Sequence, residues 1–240
     1  MRAMIEKAIL LNAGQGSRLL PLTADRPKCL IEIGGRAIVD HQLDALASAG
    51  IARRVVVGGY RIDRLEAHLF ARGDGTELRF NPFWSVASSI SSIWAARDLL
   101  QGDFAILNGD TVYDPALIAR GLAERAPGIN LFVEPIAAAA EDDMLVEVEG
   151  GTVKAVAKTL DPARARYRSL GVIATQGDAG RYRAALDSVI QGEGGIQSFH
   201  HAIVSALART DGVNAIVVER GDWVEIDTPE DIAAWRRAAP

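Results

Sequence analysis

The chain has 240 residues, 49% hydrophobic and 24% charged, which excludes a disordered, collagenous or coiled-coil chain and leaves one large domain or two small ones. Its 26 basic and 31 acidic residues sum to −5, and no basic run is long enough to track a nucleic-acid backbone, so bulk nucleic-acid binding is excluded. Cys29 is the only cysteine, no long apolar segment of the secretory kind opens the chain, and no stretch approaches the ~20 apolar residues that span a bilayer, so a reducing cytoplasm without membrane insertion is expected.

In chain order, KAILLN over Lys7–Asn12 is a short apolar run closed by Ala13-Gly14-Gln15-Gly16, the pattern of a buried parallel strand feeding a Gly-rich turn. Apolar residues at helical spacing predict a helix over Ile38–Ala49 that stops at Gly50, whose missing side chain suits a helix end. A strand over Arg54–Gly59, a helix over Ile62–Phe70, a strand over Leu78–Asn81 and a helix over Ser88–Leu100 follow. A strand over Phe104–Leu107 then closes on Asn108-Gly109-Asp110. Strands alternating with helices imply βαβ units and a mainly parallel, doubly wound sheet. From Asn130 the pattern turns β-rich: LFVEPI, MLVEVEG and TVKAVAK read as short strands, the last two joined as a hairpin across Gly150-Gly151. Further strands are expected over Ser169–Ala174 and Ala215–Val218, with helices over Gly180–Ile190, Ile196–Leu207 and Asp231–Arg237. With no internal repeat, low-complexity tract or Pro/Ser linker, residues 1–240 are expected to form one domain whose halves share a sheet.

Gly14-Gln15-Gly16 after a strand approaches a dinucleotide fingerprint, but Leu19 stands where that pattern wants a third glycine, and no Gly-Lys-Ser/Thr follows to make a Walker loop. A Gly-rich turn lets main-chain N–H groups approach phosphate oxygens, and Arg18 and Lys28 downstream would neutralise a polyphosphate. The same residues also suit a tight strand–helix turn flanked by two solvated cations. Asp110, ending a strand in LNGDTVYD, and Asp227, in WVEIDTPED, sit where open α/β sheets collect ligands. Two such carboxylates can share one Mg2+, although each could instead start a turn or cap a helix.

The segments Asn12-Ala13-Gly14-Gln15-Gly16-Ser17-Arg18-Leu19, Pro21-Leu22-Thr23 and Arg26-Pro27-Lys28 resemble, in order and spacing, the G-x-G-S/T-R, P-x-T and P-K signature of the nucleotidyltransferase superfamily, which includes the sugar-1-phosphate nucleotidylyltransferases. The resemblance implies an α/β fold with a Rossmann-like, mostly parallel (mixed) sheet flanked by helices, the nucleotide-diphospho-sugar transferase or GT-A-like fold. It implies that Arg18 binds the leaving pyrophosphate, that Lys28 binds the α-phosphate and the incoming phosphate, and that Asn12, Ala13, Gly14, Gly16 and Ser17 cradle the nucleotide. Asp110 and Asp227 match the family's x-G/A-D and E-x-D-T/N elements, which hold Mg2+. Residues 1–125 would then form a nucleotide-binding half and residues 126–240 an acceptor-binding half.

Asn81 to Ser92, reading NPFWSVASSISS, is similar to the N-x-x-Y-x-x-x-N-S-x-x-S stretch of the phosphocholine cytidylyltransferase branch. It matches at Asn81, Ser89 and Ser92 and departs at Trp84 and Ser88. Gly58-Gly59-Tyr60 resembles that branch's T-G-Y, where main chain meets the pyrimidine. The implied nucleotide is CTP, with Gly59, Tyr60, Asn81 and Ser89 as contacts; the serines equally suit a helix packed on a sheet. Asp142-Asp143-Met144-Leu145-Val146 resembles the D-M-K-V-like stretch of cytidylyltransferases acting on phosphonates. Asp143, Lys158 and Glu225 are therefore the candidate acceptor contacts, with Asp142 beside them and Lys154 on the same alternating spacing as Lys158. An aromatic cage for a quaternary ammonium is not expected, because few Trp and Tyr fall in the right segments. His200 and His201 are expected on a helix surface, and Cys29 as a small buried hydrophobe.

The expected reaction is in-line attack by a small phosphate or phosphonate acceptor on the α-phosphorus of CTP, releasing pyrophosphate without a covalent enzyme intermediate. Two alternatives stay open: a sugar-1-phosphate nucleotidylyltransferase using UTP, dTTP or GTP, and a non-catalytic nucleotide-binding protein. A homodimer is also left open.

Overall fold

A computed structural model describes residues 5–210, 212–219 and 221–238. The chain opens with β1 (Lys7–Asn12), a small hairpin of β2 (Glu32–Ile33) and β3 (Arg36–Ala37), α1 (Ile38–Ser48), β4 (Arg53–Gly58), α2 (Ile62–Arg72), β5 (Glu77–Phe80) and α3 (Ile90–Ala95). Next come β6 (Phe104–Asn108), β7 (Thr111–Tyr113), α4 (Pro115–Glu124), β8 (Gly128–Pro135), β9 (Leu145–Glu149), β10 (Thr152–Ala157) and β11 (Tyr167–Gln176). The last elements are α5 (Ala179–Gln191), α6 (His201–Thr210), β12 (Val213–Val217), β13 (Trp223–Glu225) and α7 (Pro229–Ala238).

Nine strands form one mixed sheet in the order β5-β4-β1-β6-β11-β8-β12-β10-β9. The β5-β4-β1-β6 side is wholly parallel, whereas β11 enters antiparallel to both β6 and β8, and the far edge is the β9–β10 hairpin turned by Gly150 and Gly151. Alternation along the central strands buries both faces. Leu10, Val56, Leu107 and Val172 pack with α1, α2 and α4 on one side. Their neighbours Ile9, Val55, Ile106 and Ile173 pack with α3, α5 and α6 on the other. A third, smaller cluster of Leu19, Ile31, Ile33, Ile38, Val112, Ile226 and Ile232 lies beside the sheet. It ties the loop after β1 to the β7–β13 ribbon and α7, and so holds together segments far apart in sequence.

Four differences from the sequence reading matter for the site. The helix expected from Ile196 begins at His201, because Gly194 adopts φ 68° and a 3-10 turn over Gly195–Gln197 ends on extended Ser198. With that delay His200 and His201 are buried rather than on a helix surface, while Phe199 before them stays half exposed. The helix expected over Ser88–Leu100 shortens to α3 and a separate 3-10 turn over Arg97–Leu99. Helix α4 and strand β7 were not anticipated, whereas the short strand expected before Asp227 is β13; Asp114 and Pro115 carry an N-terminal signal for α4, the Asp114 carboxylate accepting from Ala116 N–H at 2.7 Å with Pro115 in the first turn. Lys154 stands exposed at a bulge between Val153 and Ala155, so the strand alternation expected to pair it with Lys158 is broken.

Candidate active site

The carboxyl ends of β1, β4 and β6 meet, as the crevice rule for open α/β sheets requires. The loop after β1 is pinned by its own side chains and backbone. Gly16 sits at φ 75°, and a Cβ there would lie 2.8 Å from Cβ of Lys28, so only glycine lets the lysine stem lie against the turn. Thr23 is buried and donates its hydroxyl to the Gly16 carbonyl at 2.9 Å. Tyr60 N–H donates to the Ala13 carbonyl at 3.0 Å, which places Gly59 and Tyr60 beside the loop. Gly14, Ser17 and Arg18 stand exposed on its outer side. Asn12 does not face outward: its amide donates to the Gly109 carbonyl and to Gln42, joining the ends of β1 and β6 to α1. Gln42, not singled out from the sequence, is fully buried and donates to the carbonyls of Asn108 and Thr111, fixing the chain on either side of Asp110.

The β7–β13 ribbon brings the carboxylates together. Thr111 pairs with Glu225 across it, and Ile226 N–H donates to the Asp110 carbonyl at 2.9 Å. Helix α7 is capped reciprocally by Thr228 and Asp231, whose side chains accept from each other's backbone N–H groups. Asp227 is therefore relieved of capping and points into the site. Oxygens of Asp110, Glu225 and Asp227 all lie within 4.8 Å of one another, close enough for one hard divalent cation after small side-chain shifts. Glu225, expected as an acceptor contact, thus stands with the two aspartates. Its carboxyl is raised above the ordinary range by desolvation in the cleft and by the charges of Asp110 and Asp227.

Lys28 reaches this group from below. Its ammonium pairs with Asp110 at 3.1 Å and with Asp227. Burial alone would lower its pKa, but the two carboxylates outweigh that and raise it, so the cation is fixed. Lys28 is 12% exposed, which removes the solvated-lysine alternative. Arg18 is about half exposed and bridges Asp227 and Asp142, each at 2.7 Å, and Lys158 pairs with Asp142 at 3.1 Å.

A cavity of about 190 Å³ opens beside the three carboxylates, walled by Asp142, Asp143, Lys158, Arg168, His200 and Trp223 among others. The sequence reading missed Arg168, Ser169 and the histidines. Ser169 accepts from Gly171 N–H and bonds His201 Nε2, while Ser89 accepts from His200 N–H and bonds its Nδ1. Ser89 therefore lines this cavity. Asn81 is not brought to the cavity: it is fully buried, with its amide donors spent on Ser91 and Ser92 and its oxygen accepting from Phe83 N–H. Of Trp84, Trp94, Tyr113, Tyr167 and Trp223, only Trp223 lines the cavity; Phe199 lines it too, and each of these two rings already meets a protein cation, Arg168 on Trp223 at 4.5 Å and Lys158 on Phe199 at 5.5 Å. Cys29 is buried, and burial pushes its thiol up to about 12.

The profile of the MobA-like NTP transferase domain matches residues 8–191. CTP:phosphoglutamine cytidylyltransferase of Campylobacter jejuni is 38% identical over 112 residues, 44% of each chain. N-acetylmuramate alpha-1-phosphate uridylyltransferase of Caulobacter vibrioides is 51% identical over 65 residues, 27% of each chain. The inositol-1-phosphate CTP transferase of T. maritima shares the fold with a TM-score of 0.81 over the whole of both chains, at 20% identity. The chain's matches span half or less of the length of its first curated relatives. No helix among the described residues is long and apolar enough to cross a membrane.

Proposed function

The chain belongs to the MobA-like NTP transferase domain family, and from that premise we propose that it couples CTP to a small phosphate or phosphonate acceptor. The observation that carries this reading is the convergence of Arg18 and Lys28, from one Gly-rich loop segment, on Asp227 and Asp110, from two different strand ends. An ionised acceptor oxygen attacks the α-phosphorus, its bond to phosphorus forms as the bond to the bridging oxygen breaks, and pyrophosphate leaves. No proton need be removed from such a nucleophile, so the reaction does not call on the Ser89–His200 and Ser169–His201 pairs as a base. Arg18 takes the leaving pyrophosphate's charge, Lys28 neutralises the α-phosphate, and the backbone from Ala13 to Ser17 cradles the triphosphate. Gly59 and Tyr60 contribute the wall beside the base, and residues 1–125 and 126–240 of one domain divide the two substrates between them. Asp110, Asp227 and Glu225 would hold Mg2+, which when bound supplies charge neutralisation and alignment of the phosphates. Asp143 and Lys158 are assigned to the acceptor. CTP is favoured over UTP by the sequence pattern around Gly59 and Ser89 and by the cytidylyltransferase relative, whereas the uridylyltransferase relative keeps a sugar-1-phosphate with UTP as the second reading.

Pyrophosphate release tests the proposal, with CTP, UTP, dTTP and GTP each offered to phosphocholine, 2-aminoethylphosphonate, a phosphorylated polyol and a sugar-1-phosphate. CTP with a non-sugar acceptor is the expected pair, and silence across the grid would leave a nucleotide-binding protein. Mg2+ at ten times its dissociation constant is expected to stabilise the wild type by ~1.4 kcal/mol in thermal unfolding and to leave Asp227→Asn unshifted. An equal shift in both would remove Asp227 from the metal.

A further inference from the structure

Resting on the reading of the 190 Å³ cavity as the acceptor pocket, we propose that its Arg168–Asp143 wall recognises a zwitterionic head, a carboxylate and an ammonium on neighbouring atoms, as in an α-amino acid. Arg168 is held rigidly. Its Nε and Nη2 donate to Glu134 Oε2 at 2.9 and 2.7 Å, its Nη1 donates to Asp143 Oδ1 at 3.3 Å, and its Cζ lies 4.5 Å from the centre of the Trp223 ring. Glu134 is 1% exposed and also accepts from Gly221 N–H and Trp223 Nε1, both at 3.2 Å. A guanidinium carries five N–H groups. Three are spent here, which leaves one on each Nη uncommitted among the described residues, on a side chain 32% exposed in the cavity.

Asp143 offers the opposite charge at the same place. It accepts from Arg168 and from Ala140 N–H at 2.8 Å, and a carboxylate has about four acceptor sites. Arg168 and Asp143 thus present a donor pair and an acceptor side by side on one fixed wall. Along this wall Arg168, Lys158 and Arg18 are paired with Asp142, Asp143 and the buried Glu134 behind Arg168, while Asp110, Glu225 and Asp227 line the metal side of the same cavity. A wall of paired opposite charges fits a dipolar ion, whose two ends each meet their complement. His200 supports the same assignment independently: it is 3% exposed, and its Nε2 has no partner among the described residues although the ring lines this cavity. The Ser89 hydroxyl accepts from the His200 backbone N–H and is bonded to the ring at Nδ1, so Nε2 is the ring nitrogen left for the head.

Three phosphate monoesters isolate the two charges. O-phosphoserine carries both, O-phosphoethanolamine lacks the carboxylate, and 3-phosphoglycerate has a hydroxyl where the ammonium stands. Calorimetric titration of the wild type with Mg2+ present is expected to give O-phosphoserine at least about ten-fold tighter binding than either analogue, within the range set by one charge-assisted pair. Arg168→Lys, which keeps a cation on buried Glu134, is expected to erase the preference over O-phosphoethanolamine and keep that over 3-phosphoglycerate. Asp143→Asn is expected to do the reverse. Equal or weaker binding of O-phosphoserine, no binding of any of the three, or a uniform loss in the variants overturns the assignment. Phosphocholine turnover without an O-phosphoserine preference would sink this inference and spare the transfer reaction. An O-phosphoserine preference without pyrophosphate release from any nucleotide would do the opposite.

Discussion

The loop from Asn12 to Lys28 and the wall made by Asp142–Asp143, Lys158, Arg168–Ser169 and Phe199–His201 border one site, yet they are built in opposite ways. The loop draws its shape from nearby residues: Gly16 turns it, Thr23 ties it, and Lys28 packs on Gly16. The wall is assembled from the segment before β9, the strands β10 and β11, and the segment before α6. Its side chains are aimed by irregularities: the bulge in β10, the register shift between Ser169 and Ile173 in β11 where Gly171 takes φ 72°, and the late start of α6. Chemistry common to a reaction class can reside in a rigid local motif, whereas a surface that must fit one acceptor is set by small changes of register.

The sharpest way to break this contrast is Lys28→Ala. If the loop carries the chemistry, turnover falls by roughly 10² to 10³, the range for removing one preorganised charge from a transition state. The fold also loses stability, because Asp110 and Asp227 are left without their shared partner beside Glu225. Unfolding measured with and without Mg2+ separates the two effects, since a bound cation restores the stability and not the turnover. Unchanged turnover would reduce the loop to a structural turn.

The wall is expected to answer to pH instead. Burial lowers the pKa of His200 to about 4, against a weaker opposing pull from Asp110, and burial together with His200 and Lys158 lowers that of His201. Both rings are neutral when folded and take up protons near 6.5 when unfolded. The unfolded chain therefore binds more protons between those values, so stability is full above about pH 6.5 and falls as pH drops toward 4. The His200 share is on the order of 3 kcal/mol, at 1.36 kcal/mol per pKa unit. Urea unfolding at a series of pH values checks it: His200→Asn should flatten the slope in this window, and an unaltered slope would mean that the ring is not held neutral by burial.

How much was legible follows the same division. The strand over Lys7–Asn12 was placed to the residue, as its continuous apolar run has both faces buried. The carboxylates Asp110 and Asp227 were picked out by motif and Glu225 by its spacing from Asp227, but nothing local reveals that Thr111 pairs with Glu225 across a two-stranded ribbon and so brings it to Asp110. Asn81 matched a pattern and proved buried, its amide closing a loop over Ser91 and Ser92. Arg168 could not be found from spacing, since its role depends on Glu134 one strand away. Buried polar partners that are remote in sequence are what single-chain patterns omit.

Gly16→Ala would sharpen the comparison at smaller scale. The left-handed backbone costs a non-glycine residue ~1–2 kcal/mol, and the new Cβ meets Cβ of Lys28 at 2.8 Å, a backbone-proximal atom with little room to withdraw. Reduced stability together with a turnover loss should result, because the lysine stem and the loop move together. The alternative outcome, lowered stability at full turnover, would show that Lys28 finds its place without the turn.

Asp142→Asn is expected to have the smallest effect, and it tests whether the two regions are coupled at all. Asp142 touches both, accepting from Arg18 of the loop and from Lys158 of the wall. The Lys158 hydrogen bond first, and then the charges of Lys158 and Arg18, hold its carboxyl below the usual range. Both pairs lie in solvent, where water and salt screen them, so the bridge contributes little to folding. Its removal frees Arg18 and Lys158 from a competing carboxylate, and substrate phosphates are the groups that would claim them. KM for the nucleotide and the acceptor should therefore change by no more than roughly five-fold, with the difference from wild type shrinking as ionic strength rises. A loss of turnover near that of Lys28→Ala would mean that loop and wall act as one charged unit, and the division between a generic half and a specific half would fail at Asp142.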